Sequence, residues 1–307
     1  MRIAVPDLGS NSYFPAVAAA ALGFFAAEGL DAELQLISPV PKTMEALRDN
    51  ALDFVAGPAH AALSAFPEWK GAKLVVALAQ KTFWLLILRS DLGAAIGDVQ
   101  AVKGLRIGAA PGPDVALRRL LAEAGIDLER DRVNIAPVPG ASGPGVSFGV
   151  HAAQCLEEGT IDGFWANGMG SELAVRSGIG SVILDVRRGM GPSSAQHYTF
   201  SGLVTTEANI AREPESVAAA VRAIVNTQKA LRKDHSIATI VGERLFPPTE
   251  AGLIAELVER DLPYYDPAIP AEVVEGLNQF ARDIGLLSGP VPYDQVVATQ
   301  FRHEWSQ

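Results

Sequence analysis

Cysteine is nearly absent from this chain. Cys155 stands alone, so no disulfide can form within it, and a cysteine-ligated metal site has no support. Cys155 falls in a helical pattern and reads as a small buried side chain. Basic charge is also short. Lys and Arg number 25 against 35 Asp and Glu, and the resulting net charge of −10 argues against nucleic acid or an anionic membrane as a partner. Long apolar runs are missing too. The most apolar helical stretch, residues 16–27, is too short to span a bilayer. The opening segment MRIAVPDLGSNSYFP starts directly as a strand and lacks the basic-then-apolar design of a signal peptide, so the chain as given reads as soluble. The glycine-rich stretch at 137–149, PVPGASGPGVSFG, lacks the Lys and Ser/Thr of a phosphate loop. No metal cluster or cofactor fingerprint is visible, and none is expected.

What is present is material for two cores. A length of 307 residues suits two domains, and 49% hydrophobic against 20% charged residues excludes disorder.

A repeat gives the organisation. Residues 47–60 read LRDNALDFVAGPAH, and residues 156–169 read LEEGTIDGFWANGM. Each runs from a helical Leu, Leu47 or Leu156, to an Asp six positions on, Asp53 or Asp162, and then into an apolar strand. The two aspartates read as structural, ending the turn before a buried strand. Upstream, RIAVP at 2–6 matches RIGAAP at 106–111, each a strand feeding a loop and a helix. Those helices, near 15–27 and 113–124, stop at Gly29 and Gly125, as expected where the chain must turn left-handed. Strands at 32–37 and 132–138 follow. Each half is thus β-α-β-α-β, which predicts α/β lobes with parallel-rich, Rossmann-like sheets. Further strands read at 73–79, 83–91 and 197–206, and helices at 214–233, 236–244, 249–260, 270–285 and 292–303.

The expected division is lobe one at 1–88 with 200–307, and lobe two at 89–199. The two crossings, near 85–91 and 198–204, would act as hinges. Open parallel sheets bind ligands beyond the carboxyl ends of their strands, so two such lobes face each other across a cleft.

The order of SYFPAVAAAALGFFAAEGLDAELQLI, ALRDNALDFVAGPAHAAL, VKGLRIGAAPG and CLEEGTIDGFWAN resembles the solute-binding proteins of ABC importers for nitrate, sulfonates, taurine and thiamine-precursor pyrimidines. The resemblance covers nearly the whole chain. It implies the type II periplasmic-binding fold, a monomer, a small-molecule ligand, an inner-membrane permease as partner and a periplasmic location; a cytoplasmic relative is the alternative.

Candidate ligand contacts follow from the cleft loops. Three helix starts offer free N–H groups: Ser10, Asn11, Ser12 and Tyr13; Gly57, Pro58 and His60; and Gly112, Pro113 and Asp114. Tyr13, Phe83, Trp84, Trp165 and Phe200 could wall a flat ligand, with Trp165 and Asn167 pairing a ring face with an amide. His60 and His197 are the histidines near these loops. Basic residues there are few, which weakens a dianion as ligand, and an inward Asp114 would favour an amine or amidine edge. The stretch at 137–149 reads as a cleft-edge loop. Binding without chemistry is the expected function. The alternatives are a ligand sensor and an enzyme on the same fold, either a decarboxylase or a relative of the thiamine-pyrimidine synthases, which place a histidine near His60. Those synthases also use a lysine before that histidine and a cysteine-rich motif. Desulfinases of this fold use a nucleophilic cysteine near the first helix, where this chain has Asn11, Ser12 and Tyr13.

Overall fold

The computed structural model of the chain describes residues 1–141 and 146–306. From the N-terminus, β1 (Arg2–Val5) leads to α1 (Phe14–Ala21), α2 (Phe24–Ala27), β2 (Glu33–Leu36), α3 (Val40–Arg48), β3 (Phe54–Pro58) and β4 (Ala72–Ala79). The chain then crosses to β5 (Leu85–Arg89), β6 (Arg106–Ala109), α4 (Asp114–Glu123), β7 (Asn134–Ala136), α5 (Phe148–Glu157), β8 (Gly163–Ala166), α6 (Gly168–Arg176) and β9 (Gly180–Asp185). It returns through β10 (Ser201–Thr206) and ends in α7 (Glu207–Arg212), α8 (Pro214–Lys233), α9 (Ile237–Leu245), α10 (Pro248–Asp261), α11 (Ala271–Asp283), α12 (Tyr293–Val296) and a 3-10 turn over Thr299–Ser306. No helix among the described residues is long and apolar enough to cross a membrane.

Two five-stranded sheets result, ordered β2-β1-β3-β10-β4 and β7-β6-β8-β5-β9. In the first, β1 runs parallel to β2 and β3, while β10 runs antiparallel to β3 and β4. In the second, β6 runs parallel to β7 and β8, while β5 runs antiparallel to β8 and β9. Each sheet is therefore parallel-rich, with one reversed strand in the fourth place.

The repeated Leu-to-Asp device has a common physical basis. Asp53 Oδ2 accepts the backbone N–H of Arg2 at 2.7 Å, and Asp162 Oδ2 accepts that of Arg106 at 2.9 Å. Arg2 and Arg106 open the strands β1 and β6, and their guanidinium groups pair with the same aspartates. The N–H groups of Asp53 and Asp162 donate back to the carbonyls of Arg2 and Arg106. The device thus pins the start of β3 to β1 and the start of β8 to β6. The Arg106 guanidinium holds the Asp162 carboxyl down, to about 2. Leu47 and Leu156 are buried beneath the sheets, as a helix face packed on a strand requires.

The crossings lie elsewhere than expected. β5 bonds to neighbours on both sides, so residues 85–88 belong to the second sheet and a division at 88 cuts through a strand. A strand held on both edges cannot absorb a hinge rotation, and the same applies to β10. The chain instead passes between the sheets at residues 80–84 and 197–200. These segments are stitched together: Thr82 N–H donates to Gln196 O (3.0 Å), and Thr199 N–H to Thr82 Oγ1 (3.2 Å).

Other departures have local causes. The first helix breaks at Gly23, whose φ of 80° starts a new turn. Gly57 and Pro58 end β3, and only a 3-10 turn, Ala59–Ser64, follows them. The last helix stops after Val296 because Val297 leaves to bridge Leu74 of β4. β9 and α6, unforeseen from the sequence, complete the second lobe. The glycine-rich stretch at 137–149 is described only up to 141 and from 146, and the rest of that expectation lies outside the described residues.

A buried ion pair joins the lobes beside the crossings. Arg187, just past β9, meets Asp261 at the end of α10, and both side chains are 3% exposed. Asp261 also accepts from Arg188 and from the Asn11 amide, and Arg187 donates to Ser12 Oγ (2.9 Å). Removing one partner of such a pair strands the other. Asp261→Ala should therefore lower the unfolding free energy by about 3–5 kcal/mol, read from the midpoint of urea denaturation. A change under about 1 kcal/mol would show that water reaches Arg187.

Candidate functional site

Strand ends and helix starts from both lobes enclose a cavity of about 70 Å³. From the first lobe come Pro6 and Asp7 beyond β1, Tyr13 before α1, and Ser38, Pro39 and Val40 at the start of α3. The crossing gives Phe83 and Trp84. The second lobe gives Pro113 before α4, Phe148 at the start of α5, and Trp165, Ala166 and Asn167 where β8 meets α6. Ala141 and Val146 border it as well.

One wall is aromatic throughout. Tyr13 meets Phe83 edge-on with centroids 5.6 Å apart, Phe83 lies 4.8 Å from Trp84, and Trp84 lies 5.8 Å from Trp165. Trp165 Nε1 donates to Pro113 O (3.1 Å). Its one polar atom is thus satisfied by the protein, and what remains for a ligand is carbon surface. Burial pushes the Tyr13 hydroxyl well above its ordinary value, so it stays protonated.

The polar side of the cavity centres on Asp7, which is 8% exposed. Asp7 Oδ1 accepts from Gly9 N–H (2.8 Å). Asp7 Oδ2 accepts from Asn167 Nδ2 (3.0 Å) and Ser147 Oγ (3.3 Å), and the Phe148 N–H donates to the same carboxylate. Ser147 and Asn167 are the N-caps of α5 and α6. A first-lobe carboxylate thus bonds to the starts of two second-lobe helices. Burial pushes the Asp7 carboxyl above its usual range, against the pull of these bonds. Asn167 Oδ1 is buried without a partner.

Of the residues singled out from the sequence, Tyr13, Phe83, Trp84, Pro113, Trp165 and Asn167 line this cavity. The others do not. Ser10, Asn11 and Ser12 are buried behind α1, where Asn11 and Ser12 serve the Arg187–Asp261 network and Tyr265 donates to Asn11 O. Gly57 and Pro58 are strand residues. Asp114 turns to Arg118 (3.2 Å) and to the Gly112 N–H (3.1 Å), so it offers no inward charge. His197 is exposed and lies with Lys81 in a separate groove behind the crossings.

His60 stands one layer back, edge-on to Trp84 and Phe280, with Nδ1 3.0 Å from Thr199 Oγ1. Burial lowers its pKa to about 4, leaving a neutral ring that props the crossing.

Asp7, Phe148 and the Ser38–Val40 corner were missed. An acid directly beyond the first strand, in VPDLG, was the signal for Asp7.

The model of the NMT1-like family matches residues 9–243. The chain belongs to the NMT1-like family. No curated protein matches its sequence. Among solved structures, one from Bordetella bronchiseptica RB50 superposes with a TM-score of 0.78 at 18% identity, covering 100% of this chain and 98% of that one. A putative sulfonate ABC transporter periplasmic sulfonate-binding protein, SsuA from Methylobacillus flagellatus KT, gives 0.67 at 18% identity, over 98% and 92%. The desulfurization enzyme DSZB gives 0.64 at 16% identity, over 99% and 98%. At these identities the likeness shows the fold, and this NMT1-like chain has the two-lobed α/β architecture of periplasmic binding proteins.

Two outcomes are expected. His60 is neutral when folded but titrates near 6.5 when unfolded, so the unfolded state binds the extra proton first. Its contribution to stability is present above pH 6.5 and is lost as pH falls towards 4, roughly 3 kcal/mol in all. His60→Gln should flatten that part of the stability profile relative to the parent, and an identical profile would refute it. Trp165, 1% exposed, is core as well as wall. Trp165→Ala should cost about 3–5 kcal/mol in chemical denaturation.

Proposed function

We propose that this chain is the solute-binding component of an ABC importer, a monomer that closes on one small organic molecule and releases it unchanged to a membrane permease. The observation that carries this reading is the cavity itself. It lies beyond the strand ends of both sheets and is walled by both lobes, which are joined by two crossing segments. The fold shared with a sulfonate-binding protein of an ABC transporter supports the transport role and a periplasmic location.

The wall from Tyr13 to Trp165 suits a flat, largely apolar body. No Lys, Arg or His is among the lining residues described, so the polar recognition falls to Asp7, Asn167 and Ser38. The fold shared with DSZB keeps an enzyme as the second reading. Against it, Asn11 and Ser12 are engaged by Asp261 and Arg187, His60 stands behind Trp84, and Cys155 lies on α5 outside the cavity lining.

Native mass spectrometry of the purified protein tests the reading. One small molecule should be retained per chain and recovered chemically unchanged after long incubation. Adding it back should raise the melting temperature and shrink the radius of gyration. Trp165→Phe, which keeps a ring but gives up area, should weaken binding about fivefold. Stoichiometric release of carbon dioxide or sulfite would replace this reading with the enzyme one.

A further inference from the structure

The N-termini of α5 and α6 meet at one point of the cleft. They are helices of ten and nine residues; α5 presents the Ser147 hydroxyl and the Phe148 N–H there, and α6 presents the side-chain amide of its N-cap Asn167, while its first backbone N–H, that of Gly168, donates to Asn11 Oδ1 (3.2 Å). Such a convergence is a seat for an anion, because side-chain and backbone donors and the positive ends of two helix dipoles meet at one spot. In this chain the seat is taken by Asp7. Its carboxylate collects the Ser147 hydroxyl, the Phe148 N–H and the Asn167 amide, all from the second lobe, and is anchored in its own lobe by Gly9 N–H.

We propose that Asp7 fills this anion seat with its own carboxylate and so turns the cleft away from anionic solutes, towards neutral or cationic ones that carry a hydrogen-bond donor. The proposal rests on reading the cleft as a solute site. Two further observations carry it. The described lining holds no basic side chain to offset a second negative charge beside Asp7, and the sequence SGPG at 142–145 supplies none. In addition, Asn167 spends its amide N–H on Asp7 and leaves Oδ1 buried without a donor, so the group still to be satisfied at the seat is an acceptor. An anionic ligand would compete with the Asp7 carboxylate for the same donors. A ligand N–H or O–H would satisfy Asn167 instead. The same carboxylate joins the lobes, so closure needs no charge from the ligand.

Emptying the seat tests the idea. Asp7→Ala removes the built-in anion and leaves the donors of α5 and α6 facing a void of carboxylate size. The variant should melt below the parent, and 50 mM-scale sodium acetate should restore at least about 2 °C of that loss. Sodium chloride at equal ionic strength should not, and the parent protein should not respond to acetate. A folded Asp7→Ala protein that acetate fails to stabilise would overturn the proposal. The parent protein gives a second arm that needs no variant. By calorimetry it should show no binding of methanesulfonate or nitrate at millimolar concentration, and saturable binding of either would overturn the proposal. Solute capture is read separately, from the molecule retained on purification. A retained anion would remove the charge preference and leave the transport reading standing. A failed rescue in a folded variant would count against the seat alone.

Discussion

Each half of the molecule depends on one carboxylate bound to one backbone N–H. Asp53 holds the first residue of β1, and Asp162 holds the first residue of β6. Each bond sits at the head of the central parallel strands, before the apolar stretch begins. It sets the register between the strand that opens the half and the strand that follows its second helix. With that register fixed, the carboxyl ends of β1 and β3 finish on one side of their sheet, and those of β6 and β8 on one side of theirs. The arginine on each pinned residue supplements the bond, but at the surface such pairs contribute little, and the backbone contact is what repeats at short distance.

Local periodicity carried much of this. The doubled Leu-to-Asp device, the strand at 54–58 and the long helix at 214–233 are visible because each is specified by its own residues. β9 was not visible. GSVILD is a short apolar run whose status as a strand depends on β5 arriving from far upstream. The exchange of reversed strands between the sheets was equally hidden. Nothing within 83–91 states which sheet will accept it, since its pairing partners lie at 163–166 and 180–185.

The site divides along the same line. Strand-end reasoning brought Tyr13, Pro113, Trp165 and Asn167 to the cavity because their elements were placed correctly. It failed for Asn11 and Ser12, which carry the same helix-start signal. Their partners, Asp261 and Arg187, lie 250 and 175 positions along the chain, and only the folded arrangement decides that these side chains face away from the cleft. Capping chemistry marks where a helix begins and says little about which side of it meets a ligand. Asp7 shows the converse. It reads as a turn residue, yet it gathers donors from two helices of the other lobe.

The placement of β10 has a consequence for how the chain is made. In the first sheet β4 pairs along its length with β10, its other ladder contact being the single Leu74–Val297 bridge, and β10 is contributed after all of the second lobe. A chain emerging from the ribosome therefore carries residues 72–79 as a strand with no partner until residue 206 has appeared. The second sheet draws all five of its strands from 85–185, so it can close first. The lobe that is synthesised first is completed last, because the strand that ties its apolar β4 into the sheet follows the second lobe. For such a chain, a chaperone that masks residues 72–79 during synthesis serves the order of folding that the strand exchange dictates.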